Sequence, residues 1–407
     1  MKVLIYEHLT GGGFLGRSLP SGVLSEGFAM LGSTIADFKA AGSEVVTLLD
    51  PRIAILNPPL AADEVISPPS RSKLISVLRD LLVRVDVALI IAPETDGSLP
   101  DLVKEVEKVS KVISLNSSSK TILSVSDKMK VCDTLQSEGI RTPETRIIDL
   151  EGDIEKVLKV AYELDYPLVF KPVVGIGCCG LSVVMDETQV FDAVEKLMRE
   201  SQARHFLIQS LVQGIAASVS LISDGERALP LSLNEQKVIL AGPNSNSGYY
   251  GGAVPLYHPF REEALKAARK AVEAFCLRGY IGVDCLLTKK GPLVVEINPR
   301  VTTSYIGLRK VMNINLAQAM VAAASERNLP QNFSYAGCAI FSKMGTGRPS
   351  PEALREVYGM GEVAAPPLPI AEEEETCAIV VSHASTPEVA EKGLREIENR
   401  LRGLLPR

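Results

Sequence analysis

Two carboxylates and one amide between residues 284 and 298 carry the strongest chemical signal in the chain. Glu296 and Asn298 stand two positions apart in an apolar, strand-like run, so their side chains project from the same face of the strand. Asp284 ends an earlier strand-like run, which the LTKKGP turn can fold back alongside Glu296. Three oxygen donors on neighbouring strands suit Mg²⁺ or Mn²⁺ held together with substrate phosphates. A carboxylate paired within the sheet is the structural alternative, but its apolar neighbours favour a cationic partner.

Three cationic residues are suited to binding phosphate groups. Two of them precede the carboxylate cluster in the sequence, and the third follows it directly. Lys171 ends the apolar run YPLVFKP, and Lys128 lies in a helix-like run at 126–138. Either lysine alone is also compatible with an ordinary surface position. Arg300 directly follows Pro299 and can stabilise the charge on a transferring phosphoryl group.

A glycine-rich turn, GIGCCG, follows Lys171 in the sequence. Its glycines allow backbone N–H groups to approach phosphate oxygens closely, and they are Gly175, Gly177 and Gly180. Taken alone the pattern is more often a plain turn, and its position after a strand-ending lysine favours a phosphate-binding loop. We interpret the adjacent Cys178 and Cys179 as small packing residues rather than a redox pair.

The elements that must position these residues begin with an alternating pattern. Short β-rich runs at 2–6, 44–49 and 85–92 are separated by helix-like runs at 24–40 and 72–82. This alternation predicts an α/β domain with a parallel sheet over the first 125 residues.

Beyond that domain the predicted strands become antiparallel and mix with helices. We expect one lobe over 126–212 and a second over 213–330, which ends in the carboxylate pair. The tail has strand-like runs at 337–343 and 376–382 around a Pro-rich segment, and we expect it to form a small accessory lobe over 331–407. The fold class is therefore α/β combined with α+β.

The order of these features resembles the ATP-grasp superfamily over about residues 1–325. A helix lysine, a strand Lys-Pro with a glycine loop, a strand ending in Gln, then Asp and Glu-x-Asn-Pro-Arg follow one another as in that superfamily. The strings LVQG, GGAVP, GYIGVDCLL and VEINPRVTTSYIGL are also similar to the tyramine–L-glutamate ligases of methanofuran biosynthesis and their bacterial relatives. The resemblance implies a Rossmann-like N-terminal domain, two lobes that enclose ATP, and ligation through an acyl-phosphate.

The resemblance also implies roles for individual residues. Lys128 and Lys171 would hold the ATP phosphates, with Lys171 and Arg300 as the catalytic candidates. The metal ligands would be Asp284, Glu296 and Asn298. The adenine site would be lined by the backbone of Gln209, Ser210, Leu211 and Val212. Many relatives carry a Glu for the ribose hydroxyls at this point, whereas this chain has Ser210 and then Gly-Ile-Ala from 214, which leaves the ribose contact open.

The same resemblance implies that glutamate is activated at its γ-carboxylate and joined to an amine such as tyramine. Another amino acid and amine remain an alternative pair. The residues expected to contact the two substrates are Asn234, Gln236, Tyr249, Tyr250, Gly251 and Gly252. The tyrosines can stack on an aromatic amine, although loop tyrosines often have no such role.

Two other functional classes are compatible with parts of the sequence. The turn from Gly11 to Gly16 follows a strand, and its glycines have the spacing found in the dinucleotide-binding turns of NAD(P)-dependent oxidoreductases. Pro20, however, prevents a helix from starting directly at the glycines. We favour a loop beside the active site. The second class is a non-catalytic nucleotide-binding subunit. Such a subunit is expected to lack at least one metal ligand, whereas this sequence retains all three predicted ligands.

Composition limits the partners. The chain has 407 residues, of which 46% are apolar and 23% charged, as in globular proteins of several domains. No apolar stretch reaches the roughly 20 residues of a membrane helix, so we expect a cytoplasmic protein without a membrane partner. A net charge of -6 without a basic stripe argues against nucleic acid. Seven cysteines without a CxxC pair indicate neither a zinc site nor a disulfide framework. We expect small-molecule substrates as the partners, and a homodimer is compatible with the sequence.

Overall fold

The N-terminal part of the chain forms a parallel α/β domain, as predicted. A computed structural model describes residues 1–94, 96–149, 154–173, 177–201, 204–370 and 375–405. The first elements are β1 Lys2–Glu7, α1 Ser21–Ala40, β2 Glu44–Leu48, α2 Pro51–Ala54, β3 Glu64–Ile66, α3 Arg71–Leu82, β4 Val87–Ile91, α4 Ser98–Glu107, β5 Ile113–Ser114 and α5 Ser119–Ser126. The strand order is β3-β2-β1-β4-β5. The order reverses between β1 and β4, and open parallel sheets bind ligands beyond the carboxyl ends of strands at such a point.

The next segment forms a four-stranded antiparallel sheet in the order β6-β9-β7-β8, with two helices packed on it. Its elements are α6 Lys128–Ser137, β6 Thr145–Asp149, α7 Ile154–Leu164, β7 Leu168–Pro172, β8 Ser182–Val184, a 3₁₀ turn Glu187–Gln189, α8 Val190–Glu200 and β9 His205–Ser210. The helix predicted from 126 begins only at Lys128. Asp127 ends α5 and caps α6, because its carboxylate accepts hydrogen bonds from the backbone N–H groups of Met129 and Lys130.

An eight-stranded antiparallel sheet forms the centre of the molecule, in the order β14-β13-β10-β11-β12-β15-β17-β16. The elements that precede the C-terminal segment are β10 Ile215–Asp224, β11 Ala228–Ile239, β12 Gly248–Val254, α9 Arg261–Ala274, β13 Arg278–Thr288, β14 Gly291–Asn298, α10 Tyr305–Val311 and α11 Leu316–Glu326. Helix α9 covers one face of this sheet, and α10 and α11 cover the other.

The C-terminal segment, predicted as an accessory lobe, continues the central sheet. Its elements are β15 Cys338–Gly347, α12 Pro351–Tyr358, β16 Val363–Ala365, β17 Glu375–Ala384 and α13 Pro387–Leu404. Strand β15 pairs with β12, where Phe341 lies opposite Gly252. Helix α13 packs Leu394 and Leu401 into a hydrophobic cluster of this segment. The segment thus has its own apolar cluster but is joined to the central sheet by backbone hydrogen bonds.

Helix α1 lies between the N-terminal sheet and the central sheet. Asp37, on this helix, accepts hydrogen bonds from Tyr305 Oη at 2.7 Å and Arg309 Nε at 2.9 Å, both on α10. The Asp37 and Arg309 side chains are 8% and 16% exposed, so this ion pair is largely withdrawn from water. Although α1 runs for 20 residues, none of the described helices combines the length and apolar character needed to span a bilayer.

Replacing Asp37 with Ala is expected to lower the free energy of unfolding by about 3–5 kcal/mol, because it leaves the Arg309 guanidinium buried without its partner. The midpoint of chemical denaturation measures the effect. Asp63→Ala is the control, because Asp63 pairs with Lys39 of the same helix on the exposed surface. Equal midpoints for the two variants would show that the buried pair does not anchor α1.

Candidate active site

The predicted metal ligands lie together on β13 and β14. Asp284 and Glu296 are directly opposite each other in the antiparallel pairing, and Asn298 lies opposite Gly282. Asn298 Nδ2 donates to Asp284 Oδ2 at 3.0 Å, and Gln236 Nε2 donates to Asp284 Oδ1 at 2.9 Å. The spacing of two along β14 therefore brings the three oxygen donors to one face of the sheet.

The two facing carboxylates have opposite electrostatic environments. Burial and the neighbouring Glu296 charge raise the pKa of Asp284 to about 6, despite the hydrogen bonds from Asn298 and Gln236. Burial would also raise the pKa of Glu296, but the Lys128 and Lys171 ammonium groups outweigh it and lower this pKa to about 2. Glu296 is therefore the firmly ionised member of the pair.

The charges of both predicted lysines act on Glu296, and Lys128 contacts it directly. Lys128, the first residue of α6, forms an ion pair with Glu296 Oε1. Burial lowers the Lys128 pKa, but the Glu296 and Glu94 carboxylates outweigh this and raise it above its ordinary value. Lys171 Nζ, on β7, donates to Gln209 Oε1 at 3.2 Å, and burial lowers the pKa of Lys171. Lys171 belongs to the four-stranded sheet, whereas α6, which carries Lys128, packs Val131 and Leu135 against the central sheet, so the site lies where the two sheets meet.

Arg300 is held by a residue that the sequence analysis did not identify. Its Nε donates to Glu94 Oε2 at 2.9 Å, and the Glu94 side chain is only 5% exposed. Glu94 follows β4, at the sheet edge where the strand order of the N-terminal domain reverses. A polar residue just beyond a buried parallel strand was the available signal, but its arginine partner is 206 positions away.

The described part of the glycine loop packs against α1. Gly177, Cys178 and Gly180 have φ values of 65°, 68° and 70°, in the left-handed region. A Cβ at Gly177 would lie 2.9 Å from Val23 Cγ2, so only glycine fits this contact without a shift. Gly175 lies outside the described residues. Burial raises the pKa of Cys178 to about 11 and also raises that of Cys179, which agrees with packing rather than redox reactivity.

A cleft of about 240 Å³ opens above these groups, and Lys128, Lys171, Glu296, Asn298 and Arg300 all contribute to its lining. A narrower cavity of about 20 Å³ continues behind the lysines and is lined by Gln209 among apolar side chains. The other predicted adenine contacts do not line it.

Ser210 and Val212 line a separate groove on the outer side, together with Arg141 and Phe260. The backbone N–H of Leu211 donates to Pro167 O at 3.0 Å. Gln209 is therefore the one predicted adenine contact that the described structure places beside the lysines.

The predicted substrate contacts divide into two groups. Asn234 is fully buried in the same row of the sheet as Ser218 and Asp284, and its Nδ2 donates to Ser220 Oγ at 3.0 Å. Its Oδ1 has no hydrogen-bond partner among the described residues. Gln236 bonds Asp284 directly, so both amides belong to the site face.

The remaining predicted contacts lie on β12. Tyr249 is partly buried, and its hydroxyl accepts a hydrogen bond from Thr303 Oγ1 at 3.1 Å. Tyr250, the next residue, is 44% exposed to solvent. A Cβ at Gly251 or Gly252 would lie 2.1 Å from a carbonyl oxygen of the adjacent strand, so these glycines are required for close strand packing. Only Tyr249 of this group faces the interior near the site.

The Gly11–Gly16 turn does not form a dinucleotide-binding turn. The following helix begins only at Ser21, after Pro20, so its N-terminus is not at the glycines. The Glu7 carboxylate accepts hydrogen bonds from the backbone N–H groups of Leu9 and Thr10 and folds the loop back onto β1. Glu7 nevertheless lines the cleft, in agreement with a loop beside the active site.

Comparison with known proteins places the chain in a family. Residues 125–304 match the ATP-grasp domain, and residues 43–122 match the pre ATP-grasp 3 domain. The tyramine–L-glutamate ligase of Methanocaldococcus jannaschii is 27% identical over 330 residues, which cover 80% of this chain and 90% of that protein. The same ligase of Methanocaldococcus fervens is 31% identical over 255 residues, 62% of this chain and 71% of that protein.

A solved structure agrees with the fold. The biotin carboxylase–β,γ-ATP complex from Campylobacter jejuni has a TM-score of 0.73 at 16% identity, covering 99% of this chain and 91% of that chain. Together with the sequence matches, this similarity accounts for the parallel domain, the four-stranded lobe and the large antiparallel sheet. The chain belongs to the ATP-grasp family and is an ATP-dependent ligase that joins a carboxylate to an amine.

Proposed function

We propose that this ligase phosphorylates the γ-carboxylate of glutamate with ATP and a divalent metal ion, and then transfers the acyl group to an amine such as tyramine. The observation that carries the proposal is the convergence of Lys128, Lys171 and Arg300 on Glu296 in one cleft, with Asp284 directly opposite Glu296 in the sheet. The names of the Methanocaldococcus relatives support glutamate and tyramine as the substrates.

The oxygen donors suit Mg²⁺ or Mn²⁺. In the described part of the chain, His, Cys, Asp and Glu side chains form no group of three or more that could hold a metal. The proposed ligands are therefore the carboxylates of Asp284 and Glu296 and the Asn298 amide oxygen, with phosphate oxygens completing the shell, as is usual for Mg²⁺. A cation held by these residues would also offset the repulsion between the two carboxylates. When bound, it neutralises phosphate charge and polarises the transferring phosphoryl group.

The chain's own cations support the first proposed step. A carboxylate oxygen of glutamate forms a bond to the γ-phosphorus of ATP, the bond to the β–γ bridging oxygen breaks, and ADP leaves. Negative charge spreads over the transferring group, and Lys128, Lys171 and Arg300 are placed to stabilise it. Glu94 orients Arg300 for this role through its hydrogen bond.

In the second proposed step, the amine nitrogen attacks the acyl-phosphate carbonyl carbon. A C–N bond forms, the C–O bond to phosphate breaks and inorganic phosphate leaves, and the proton lost by the amine passes to the departing phosphate or to water. A carboxylate alone is a poor electrophile, so phosphorylation is the reason that ATP is consumed. This sequence requires neither a nucleophilic serine nor a nucleophilic cysteine, in agreement with the raised thiol pKa values of Cys178 and Cys179.

The central test mixes the purified protein with ATP, Mg²⁺, glutamate and tyramine. ADP, phosphate and γ-glutamyltyramine are expected in equal amounts, and EDTA is expected to stop their formation. When hydroxylamine replaces tyramine, it should trap the acyl-phosphate as γ-glutamyl hydroxamate. Release of AMP and pyrophosphate would contradict the acyl-phosphate, and product formation only with another acid and amine would contradict the substrate pair.

Substituting Glu296 with Gln is expected to lower phosphate release on the order of 100-fold or more, because it removes a charge that faces the metal and both lysines. Glu235→Gln is the matched control. Glu235 lies on β11, directly opposite Ala217 in the strand pairing, and the Ala217 side chain packs under α9. Glu235 therefore lies on the face of the sheet away from the metal ligands. Circular dichroism should show both variants folded, and retained turnover in Glu296→Gln would remove Glu296 from the metal site.

Substituting Glu94 with Ala is expected to reduce kcat about 10- to 100-fold while KM for ATP changes little, because Arg300 loses the carboxylate that orients it. Glu94→Gln, which keeps an acceptor oxygen, should recover part of the loss. Glu105→Ala is the control, since Glu105 pairs with Arg79 in the same domain away from the cleft. A rise in KM for ATP at unchanged kcat would assign Glu94 to nucleotide binding instead.

A further inference from the structure

An ion pair between Glu26 and Lys343 connects α1 to the C-terminal segment. Lys343 Nζ lies 2.6 Å from Glu26 Oε1, and each side chain is only 16% exposed. The two residues are 317 positions apart, and Lys343 lies on β15, outside the part of the chain that matches the ATP-grasp domain. Neither residue was identified from the sequence.

Glu26 lies at the wall of the catalytic cleft, and Lys343 lies behind it in direct contact. Glu26 lines the same 240 Å³ cleft as Glu296 and Arg300. The Lys343 ammonium lies 6.0 Å from the centre of the Tyr249 ring, and the Tyr249 hydroxyl is bonded to Thr303, three residues after Arg300. The charges of Glu26, Lys343 and Glu296 all act on Cys178 in the glycine loop. Glu26 thus lies in the same cleft as Glu296 and Asn298, and its partner Lys343 lies directly beside that cleft.

A structural role alone does not account well for this pair. Asp37 already fixes α1 to α10 through a buried arginine and a tyrosine. Buried ion pairs are often no more stabilising than apolar side chains of similar size, because both charges lose their hydration. A ligand that carries both an ammonium and a carboxylate group can replace each partner of this ion pair. Glu26 then pairs with the ligand's ammonium group and Lys343 with its carboxylate, so neither charge is left unpaired.

We infer that Glu26 and Lys343 form a recognition subsite for an α-amino acid. Glu26 binds the α-ammonium group and Lys343 binds the α-carboxylate, while the side-chain carboxylate of the substrate extends toward Asp284, Glu296 and Arg300. This inference rests on the proposed function and assigns to the C-terminal segment a direct contact with the acid substrate. It also gives a reason for activation of the side-chain carboxylate, because the α-carboxylate is held away from the phosphoryl group.

The test compares glutamate with isoglutamine, whose α-carboxylate is a neutral amide and whose γ-carboxylate is intact. For the wild type, kcat/KM is expected to be about 10- to 100-fold lower for isoglutamine, because a charge-assisted hydrogen bond is lost. Lys343→Met should use the two acids almost equally well. The double variant Glu26→Gln/Lys343→Met is neutral on both sides and gives the same comparison if a single variant fails to fold.

Glutarate, which lacks the α-ammonium group, tests Glu26. The wild type should prefer glutamate over glutarate, and Glu26→Gln should lose this preference while KM for ATP stays unchanged. Lys39→Met is the matched control for Lys343→Met. Lys39, on α1, also forms an ion pair of 2.6 Å, but this pair is more exposed. Equal losses for glutamate and isoglutamine in Lys343→Met would indicate a purely structural pair and overturn the subsite.

Failure of the subsite differs from failure of the proposed function. If glutamate and tyramine support no ATP turnover, the proposed function fails, and a panel of α-amino acids with amines identifies the acid that is used. That acid and its α-carboxamide then replace glutamate and isoglutamine in the same comparison. A ligase that accepts no α-amino acid in the panel, or that ignores α-amidation, overturns the subsite whichever acid it uses.

Discussion

The site depends on compensation between buried charges that come from different parts of the chain. Asp284 and Glu296 face each other across two strands of the central sheet, an arrangement that would be unfavourable without cations. Lys171 comes from the four-stranded sheet, Lys128 from the helix α6, and Glu94 of the N-terminal domain holds Arg300. Because each segment contributes charges that the others neutralise, the three parts must pack together before any of these groups is stable in the cleft.

Local spacing was sufficient to predict the chemistry-bearing strands. Glu296 and Asn298 alternate with apolar residues, and the turn between β13 and β14 is short, so the sequence determines that Asp284 meets Glu296. The parallel alternation of the N-terminal domain was equally readable, because buried β-rich runs there alternate with helix-like runs. In both cases the pattern is local to each element or to a single turn, although the pairing of β1 with β4 is not.

Long-range partners could not be predicted in this way. Glu26 and Lys343 look like ordinary surface charges in the sequence, and for Glu94 the sequence does not show its arginine partner, so only tertiary packing reveals these contacts. Strand β12 was missed because Gly251 and Gly252 read as loop residues, whereas neighbouring carbonyl oxygens leave no room there for a side chain. Tyr250 was expected at the substrate but is solvent-exposed, since alternation along β12 turns it away from Tyr249.

The position of β15 has a consequence for any shortened form of the protein. Strand β12 is an interior strand only because β15 pairs with it, and Gly251 and Gly252 lie in that pairing. A chain that ended near residue 330 would turn β12 into an open edge, with unpaired N–H and C=O groups beside glycines that offer no protecting side chain. Such an edge favours association between molecules, and in this chain β15 covers it.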